Sequence, residues 1–336
     1  MKITWLDNLR VNATIGVILI HASATILFRF TKVPADHWWF ANLYNGGYRY
    51  VVPIFVMLSG ALLLPRDEAI GPFLKKSFMR IVLPFLFYNL IFSLFNWQVR
   101  LRGKAFGFTD GLTWLGEQYF NGASYHFWYI YMIVGVYLFI PIIGSWVRRA
   151  QTSHLHFFLV LWFLTFFSND SKFPWLNLPI KLPYFSGYIG YLVLGYFLTL
   201  RTYSKSIAWL LFIGGVCWTG IANYHESVLA GKFYGLFADN FSPSAMFCSA
   251  GIFMIMKADV SERRSSYQIW EWISSHSYGI YLIHILCLFY LAKLGIYGGM
   301  IHPSVGIPFT VIVCLGVSGS IVWILKRIPL GKYIAG

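Results

Sequence analysis

Charged side chains are scarce in this sequence, and acidic ones are the scarcest. Asp, Glu, Lys and Arg make up 11% of the 336 residues, with 12 acidic against 26 basic side chains. Hydrophobic residues make up 58% of the chain, and the mean hydropathy is +0.62. Soluble globular domains carry about 25% charged residues, so this composition excludes an ordinary soluble domain and predicts an integral membrane protein.

Cysteine is also rare. The four cysteines all lie in hydrophobic stretches and show no CxxC spacing: Cys217, Cys248, Cys287 and Cys314. Disulfide frameworks and zinc sites depend on such spacings. Neither is therefore predicted, no metal is expected, and we interpret these cysteines as packing residues.

The basic excess gives a formal net charge of +14. The Lys and Arg residues are scattered over short segments between apolar runs and form no basic domain, so no nucleic-acid partner is expected. If each apolar run crosses the membrane in turn, both termini lie on the same side. Most of the Lys and Arg residues fall in segments on that side. The positive-inside rule then predicts that both termini are cytoplasmic.

The long apolar runs predict an all-α polytopic membrane protein, because helices satisfy their own backbone hydrogen bonds in lipid. The first run continues without a small-residue cleavage site and is predicted to be a retained helix. Residues 1–336 are expected to form a single membrane-embedded domain without a soluble appendage, and the outer segment at about 98–125 is long enough for an interfacial helix. Ten spans are predicted, at about 11–30, 44–64, 77–97, 126–146, 153–170, 184–200, 206–223, 242–257, 277–294 and 304–325.

Two polar side chains in the first span, Arg10 and His21, dominate the functional interpretation. Eleven residues of helix place them on one face, about 16 Å apart along the axis. Ionisable groups at membrane depth normally face a protein interior or a wet cavity. We therefore hypothesise a cavity from the cytoplasmic face at Arg10 to the membrane centre at His21. Alternatively, Arg10 is a snorkelling anchor and His21 is a neutral hydrogen-bonding partner of another helix.

Further polar groups accompany this pair. Arg49 and Ser59 in the second span are pocket candidates, although an outer arginine is also typical of the membrane interface. A basic cluster at the start of the third span and in the C-terminal tail suits the phosphates of a cytoplasmic donor, with anionic lipid or topology as the alternative. Its members are Lys75, Lys76, Arg80 and Arg327.

Two aromatic and polar groups complete the candidates. His126, Trp128 and Tyr129 begin the fourth span, as an interfacial belt or as a platform for a sugar acceptor. Tyr281 and His284 of the ninth span share a helix face, as packing groups or as pocket residues.

Six segments together resemble the membrane acyltransferase-3 family. They are Asp7-Asn8-Leu9-Arg10 followed by ten residues and His21, PIFVMLSG at 53–60, RIVLPFLFY at 80–88, HFWYIYMIVGVYLFIPI at 126–142, SYGIYLIHIL at 277–286 and the terminal LKRIPLGKY. Asn8 stands where the family more often has glycine.

The resemblance implies transfer of an acyl group, usually acetyl from cytoplasmic acetyl-CoA, to a hydroxyl of a surface carbohydrate or lipid-linked glycan. It implies that Arg10 and His21 are the essential pair, and that the protein is of the standalone exopolysaccharide or antigen O-acetyltransferase type in a bacterial inner membrane. Acetyl-CoA phosphates would bind the basic cluster, and neutral His21 would act as general base. The rival hypothesis is a transporter with a His21 and His284 proton relay. Direct transfer and a relay through an acetylated His21 are both compatible with the sequence, which also leaves the acceptor, the acyl group and the oligomeric state open.

Overall fold

A computed structural model describes residues 4–100, 107–167, 187–258 and 267–336, and all regular structure in these ranges is helical. The described ranges contain fourteen α-helices: α1 Thr4–Leu27, α2 Ala35–Gly46, α3 Val51–Leu63, α4 Ile70–Ser77, α5 Leu83–Arg100, α6 Phe108–Asn121, α7 Trp128–Arg149, α8 Thr152–Thr165, α9 Tyr188–Thr199, α10 Lys205–Ala230, α11 Pro243–Ala258, α12 Tyr267–Lys293, α13 Pro303–Leu325 and α14 Gly331–Ile334. The short connections are a π-helix at Phe78–Val82 and 3₁₀ turns at Tyr125–Phe127 and Leu236–Ala238.

The polytopic all-α prediction is confirmed. Within the described ranges, seven helical segments are long and apolar enough to cross a membrane, and α8, α9 and α11 are shorter apolar helices. A helix occurs in each of the ten predicted windows, although residues 168–186, which include the ends of two windows, lie outside the described residues. A helix, α6, occurs within the outer segment predicted at about 98–125, and its interfacial position stays a prediction.

Helix α1 lies at the centre of the fold. It contacts α2, α3, α11, α12 and α13. Leu9, Val11, Ala13 and Ile18 point to different sides of α1, and each is at most 1% exposed. A helix that is buried around most of its circumference is typical of a bundle core. Polar groups on α1 therefore face other helices.

Helices α1 and α12 run parallel, because Arg10 contacts Ser274 and His21 contacts His284 further along both helices. Two crossing helices are parallel only when an odd number of crossings separates them. Four long apolar segments of the described ranges lie between them, so if all four cross, an odd number of further crossings is needed, and α8, α9 and α11 together would supply three. Ten crossings meet this condition. The number of crossings and the side of the termini stay predictions.

Two prolines explain breaks in spans predicted as continuous helices. The predicted span 44–64 is divided by a turn at 47–50, because Pro53 cannot bond the carbonyl of Arg49 and would clash with it in a regular helix. The π-helix at Phe78–Val82 precedes Pro84 in the same way, and its wider turn includes Arg80, the residue four positions before Pro84. Both breaks therefore fall at arginines predicted to be functional.

A close helix crossing joins α3 to α9. A Cβ atom on Gly60 would lie 1.9 Å from the carbonyl oxygen of Leu192, and one on Gly195 would lie 2.1 Å from that of Met57. Small residues allow helix backbones to approach closely in membranes. Gly60 is therefore a site of close approach, and the approaching group is the backbone of α9.

Replacing Gly60 with alanine should destabilise the protein, because the clash is with backbone and the two helices must separate. We expect a loss of about 1–3 kcal/mol, measured as a lower thermal transition in detergent. Gly71→Ala is the matched control, since a Cβ there meets nothing within 4 Å. Equal transition temperatures for the two variants would contradict the predicted clash.

Candidate active site

Arg10 lies at the start of the interface between α1 and α12. One of its terminal nitrogens (Nη1) donates to Asp7 Oδ1 at 3.2 Å and to Ser274 Oγ at 2.9 Å, while the Ser274 hydroxyl donates to the same Asp7 oxygen at 2.7 Å. Ser274 is buried, and the Arg10 side chain is 30% exposed. Arg10 is therefore fixed within the bundle with part of its guanidinium accessible, which a freely snorkelling anchor would not be.

The other predicted donor-binding residues differ in their surroundings. Arg80 is exposed and near enough for its charge to act on Arg10. Lys76 lies 3.7 Å from Glu68, Lys75 is exposed on α4, and the Arg327 guanidinium stacks 3.5 Å from the centroid of the Trp323 ring. Among the described residues, Arg80 is thus the member of the predicted cluster that shares the environment of Arg10.

The C-terminal end of α13 lies at the same end of the bundle as Arg10. Lys326 donates to the carbonyl of Ser275 at 2.7 Å, and Ser275 follows Ser274 on α12. Burial lowers the pKa of Lys326. This contact brings the basic tail, which contains Arg327, to the end of the interface that Arg10 occupies.

His21 marks the other end of this interface. Its Nδ1 lies 3.1 Å from the Tyr125 hydroxyl, and its ring centroid lies 5.2 Å from that of His284. The ring of His284 is 5.3 Å from that of His126, so three histidines from three segments meet here. His126 and His284 are buried, His21 is half-buried, and Tyr125 is 65% exposed. His21 is therefore the member of the cluster next to the accessible side.

Arg49 lies beside this cluster. Its guanidinium donates to Asn45 Oδ1, and the Asn45 amide donates to the carbonyl of Ile20 at 2.8 Å. The Arg49 charge is close enough to act on His21, and the Arg49 Nε is buried without a hydrogen-bond partner in the described ranges. The position differs from that of an interfacial arginine, because Arg49 is tied through Asn45 to the turn of α1 that carries His21.

The outer aromatic residues divide into buried and exposed groups. His126 and Tyr129 are buried, and the Tyr129 ring lies 5.1 Å from that of Tyr281, whose hydroxyl donates to the His126 carbonyl. Trp128 is 45% exposed, as a belt residue or an entrance residue would be. Only Trp128 of the three therefore retains the lipid-facing alternative.

Ser59 lies toward the Arg10 end. Its Oγ is 3.3 Å from the Tyr137 hydroxyl, and Tyr137 is near enough to interact with the charge of Arg10. The pocket candidates thus separate into an Arg10 end with Ser59 and a His21 end with the others. An accessible cleft at the ends of α3, α4 and α7 includes neither Arg10 nor His21, and a continuous cavity between these two residues stays a prediction.

Sequence reasoning missed Tyr125, Ser274 and Asn45. Tyr125 directly precedes His126, and Ser274 lies two helical turns before Tyr281 on the predicted face of Tyr281 and His284, so both had local signals. Asn45 contacts α1 from α2, and its partner could not be identified without the tertiary arrangement.

One group of side chains could hold a cation. Asp36, His37 and His302 present ligand atoms within 4.8 Å of one another, and two of the three come from α2. His302 Nε2 lies 3.1 Å from Asp36, and its Nδ1 accepts from the Ser304 backbone N–H at the start of α13. Helix capping and an ion pair account for these contacts. No sequence spacing joins Asp36 and His37 to His302, which lies far from them in the chain.

Comparison with known proteins identifies one family. A family model described as an acyltransferase domain matches residues 3–325, nearly the whole chain. No curated protein and no solved structure matches the chain. The match includes both ends of the α1 and α12 interface.

Proposed function

Since the chain belongs to the membrane acyltransferase-3 family and is a membrane acyltransferase, we propose that it moves an acetyl group from acetyl-CoA to a carbohydrate hydroxyl. The acceptor is an exopolysaccharide or a lipid-linked glycan, and the membrane is the inner membrane of a bacterium. The observation that carries this proposal is the parallel interface of α1 and α12, with a partly accessible arginine at one end and a histidine cluster at the other.

The Arg10 end suits the donor. Arg10 and the exposed Arg80 offer several N–H groups to phosphate oxygens, and guanidinium groups form strong charge-assisted hydrogen bonds with phosphate. Further positive charge around the Arg10 end is proposed to come from Lys75, Lys76 and Arg327. The pantetheine arm would then extend along α1, over the roughly 16 Å that separates Arg10 from His21.

The His21 end suits the transfer step. His21 takes the proton of the acceptor hydroxyl as its oxygen attacks the thioester carbonyl, and the carbon–sulfur bond breaks. The proton then passes to the departing CoA thiolate, so the products are the acetyl ester and CoA. The positive charge of Arg49 beside His21 favours the negative charge that develops on the carbonyl oxygen. Exposed Tyr125 and Trp128 mark the acceptor side.

The transporter hypothesis relies on the same two histidines, His21 and His284. No contact among the described residues favours a transporter over an acyltransferase. The two classes differ in their need for a thioester. Purified protein should bind acetyl-CoA saturably or release free CoA, detected with a thiol reagent. A monodisperse, folded sample that neither binds nor consumes acetyl-CoA would overturn the proposed donor.

A further inference from the structure

His284 has an unpaired hydrogen-bond acceptor deep in the fold. Its side chain is 0% exposed, and its Nε2 has no partner among the described residues. Its Nδ1 lies 2.6 Å from the carbonyl oxygen of Tyr281. A carbonyl only accepts, so Nδ1 carries the hydrogen of the neutral ring and Nε2 is a bare lone pair. Buried acceptors without partners are uncommon and costly, so a donor is expected here.

His126 cannot be that donor. Its Nε2 lies 3.3 Å from the Leu282 carbonyl and must donate to it, and its Nδ1 then accepts from the Ser124 hydroxyl at 2.9 Å. Both nitrogens are thus engaged. The Tyr281 ring also meets His284, but its hydroxyl already donates to the His126 carbonyl. Of the rings that meet His284, His21 therefore remains, because its Nδ1 faces Tyr125 and its Nε2 makes no hydrogen bond within the described part of the chain.

The separation of the two rings suits a direct bond. An imidazole nitrogen lies about 1.2 Å from its ring centroid and an N–H···N bond spans about 2.9 Å, so bonded imidazoles have centroids about 5.3 Å apart. The His21 and His284 centroids are 5.2 Å apart, with planes inclined by 40°. Reorientation of the half-buried His21 ring can therefore form the bond without a change in the helix positions.

We propose that His284 is a positioning residue that accepts a hydrogen bond from the Nε2–H group of His21. This bond holds His21 in the tautomer whose Nδ1 is unprotonated and faces the accessible side. The exposed Tyr125 hydroxyl occupies the position at Nδ1 that the acceptor hydroxyl takes during transfer. The inference rests on the proposed function, in which His21 receives the proton of the acceptor.

Two substitutions separate this role from packing. In His284→Asn, the amide nitrogen lies near the former Nδ1 and can still donate to the Tyr281 carbonyl, but no acceptor remains at Nε2. In His284→Gln, the amide oxygen reaches about the position of Nε2 and can accept from His21. We expect the Asn variant to lose about 10²-fold in kcat with an unchanged KM for acetyl-CoA, and the Gln variant to remain within about 10-fold of the wild type.

Two kinetic results would overturn the proposal: an Asn variant as active as the wild type, or equal losses in folded Asn and Gln variants. The second readout is NMR of the wild-type protein with ¹⁵N-labelled histidine, in which the His21 signal is identified by its loss in His21→Gln. Protonated Nε2 and unprotonated Nδ1 are expected, and the reverse tautomer contradicts the inference. The tautomer is readable even if acetyl-CoA proves not to be the donor, so the two failures are distinguishable.

Discussion

The His21→Ala variant is expected to lose about 10²–10⁴-fold of its acyl-transfer rate while binding acetyl-CoA as the wild type does. General-base catalysis contributes about that factor, which corresponds to about 3–5 kcal/mol of barrier. The Arg10 end, where the donor phosphates are proposed to bind, is left intact because His21 lies about three helical turns away. The measurement is single-turnover release of CoA at saturating donor, together with an equilibrium binding titration.

The matched control for this substitution is His154→Ala. His154 is exposed on α8 and has no place in the site, so its removal should change neither the rate nor the binding. Full activity of folded His21→Ala would remove His21 from the chemistry. If His21→Ala failed to fold while His154→Ala folded, His21 would have a packing role through its contacts with His284 and Tyr125.

The second large effect is expected at Arg10. Arg10→Ala should weaken acetyl-CoA binding by about 10–100-fold, because a hydrogen bond to a charged group contributes about 1.5–3 kcal/mol. At saturating acetyl-CoA the rate should fall much less than in His21→Ala, since the base remains. Arg10→Lys should recover part of the affinity, because it restores the charge without the guanidinium geometry.

Acetyl-pantetheine tests the reason for this effect, because it has the thioester but lacks the nucleotide phosphates. We expect Arg10→Ala and the wild type to use it equally. Arg149→Ala serves as the control, since Arg149 is an exposed residue on α7. An equal defect with both donors would show that Arg10 acts by holding Asp7 and Ser274 in place, and the phosphate-binding role would be wrong.

Much of the fold follows from the sequence because the physics is local. A hydrophobic run of sufficient length must form a helix in lipid, and the common face of Arg10 and His21 follows from helical periodicity alone. The helix breaks at 47–50 and 78–82 have local causes, Pro53 and Pro84 respectively. Proline alone does not explain why the first break is a turn and the second is a π-helix.

The site depended on long-range contacts. Ser274 is 264 positions from Arg10, and Tyr125 is 104 positions from His21, so no periodic pattern could pair them. Burial likewise separated His126 and Tyr129 from Trp128, although all three belong to one aromatic stretch.

The sequence by itself determined that this is a helical membrane protein, and it identified Arg10 and His21 as a pair on one helix, because hydrophobicity and helix periodicity act over neighbouring residues. Only the tertiary structure decided that α12 lies parallel to α1. That arrangement fixes Arg10 through Ser274 and places the ring of His284, whose Nε2 has no partner among the described residues, 5.2 Å from the ring of His21 between centroids. Such contacts arise from helix packing, which depends on many weak interactions across the whole chain rather than on any local motif.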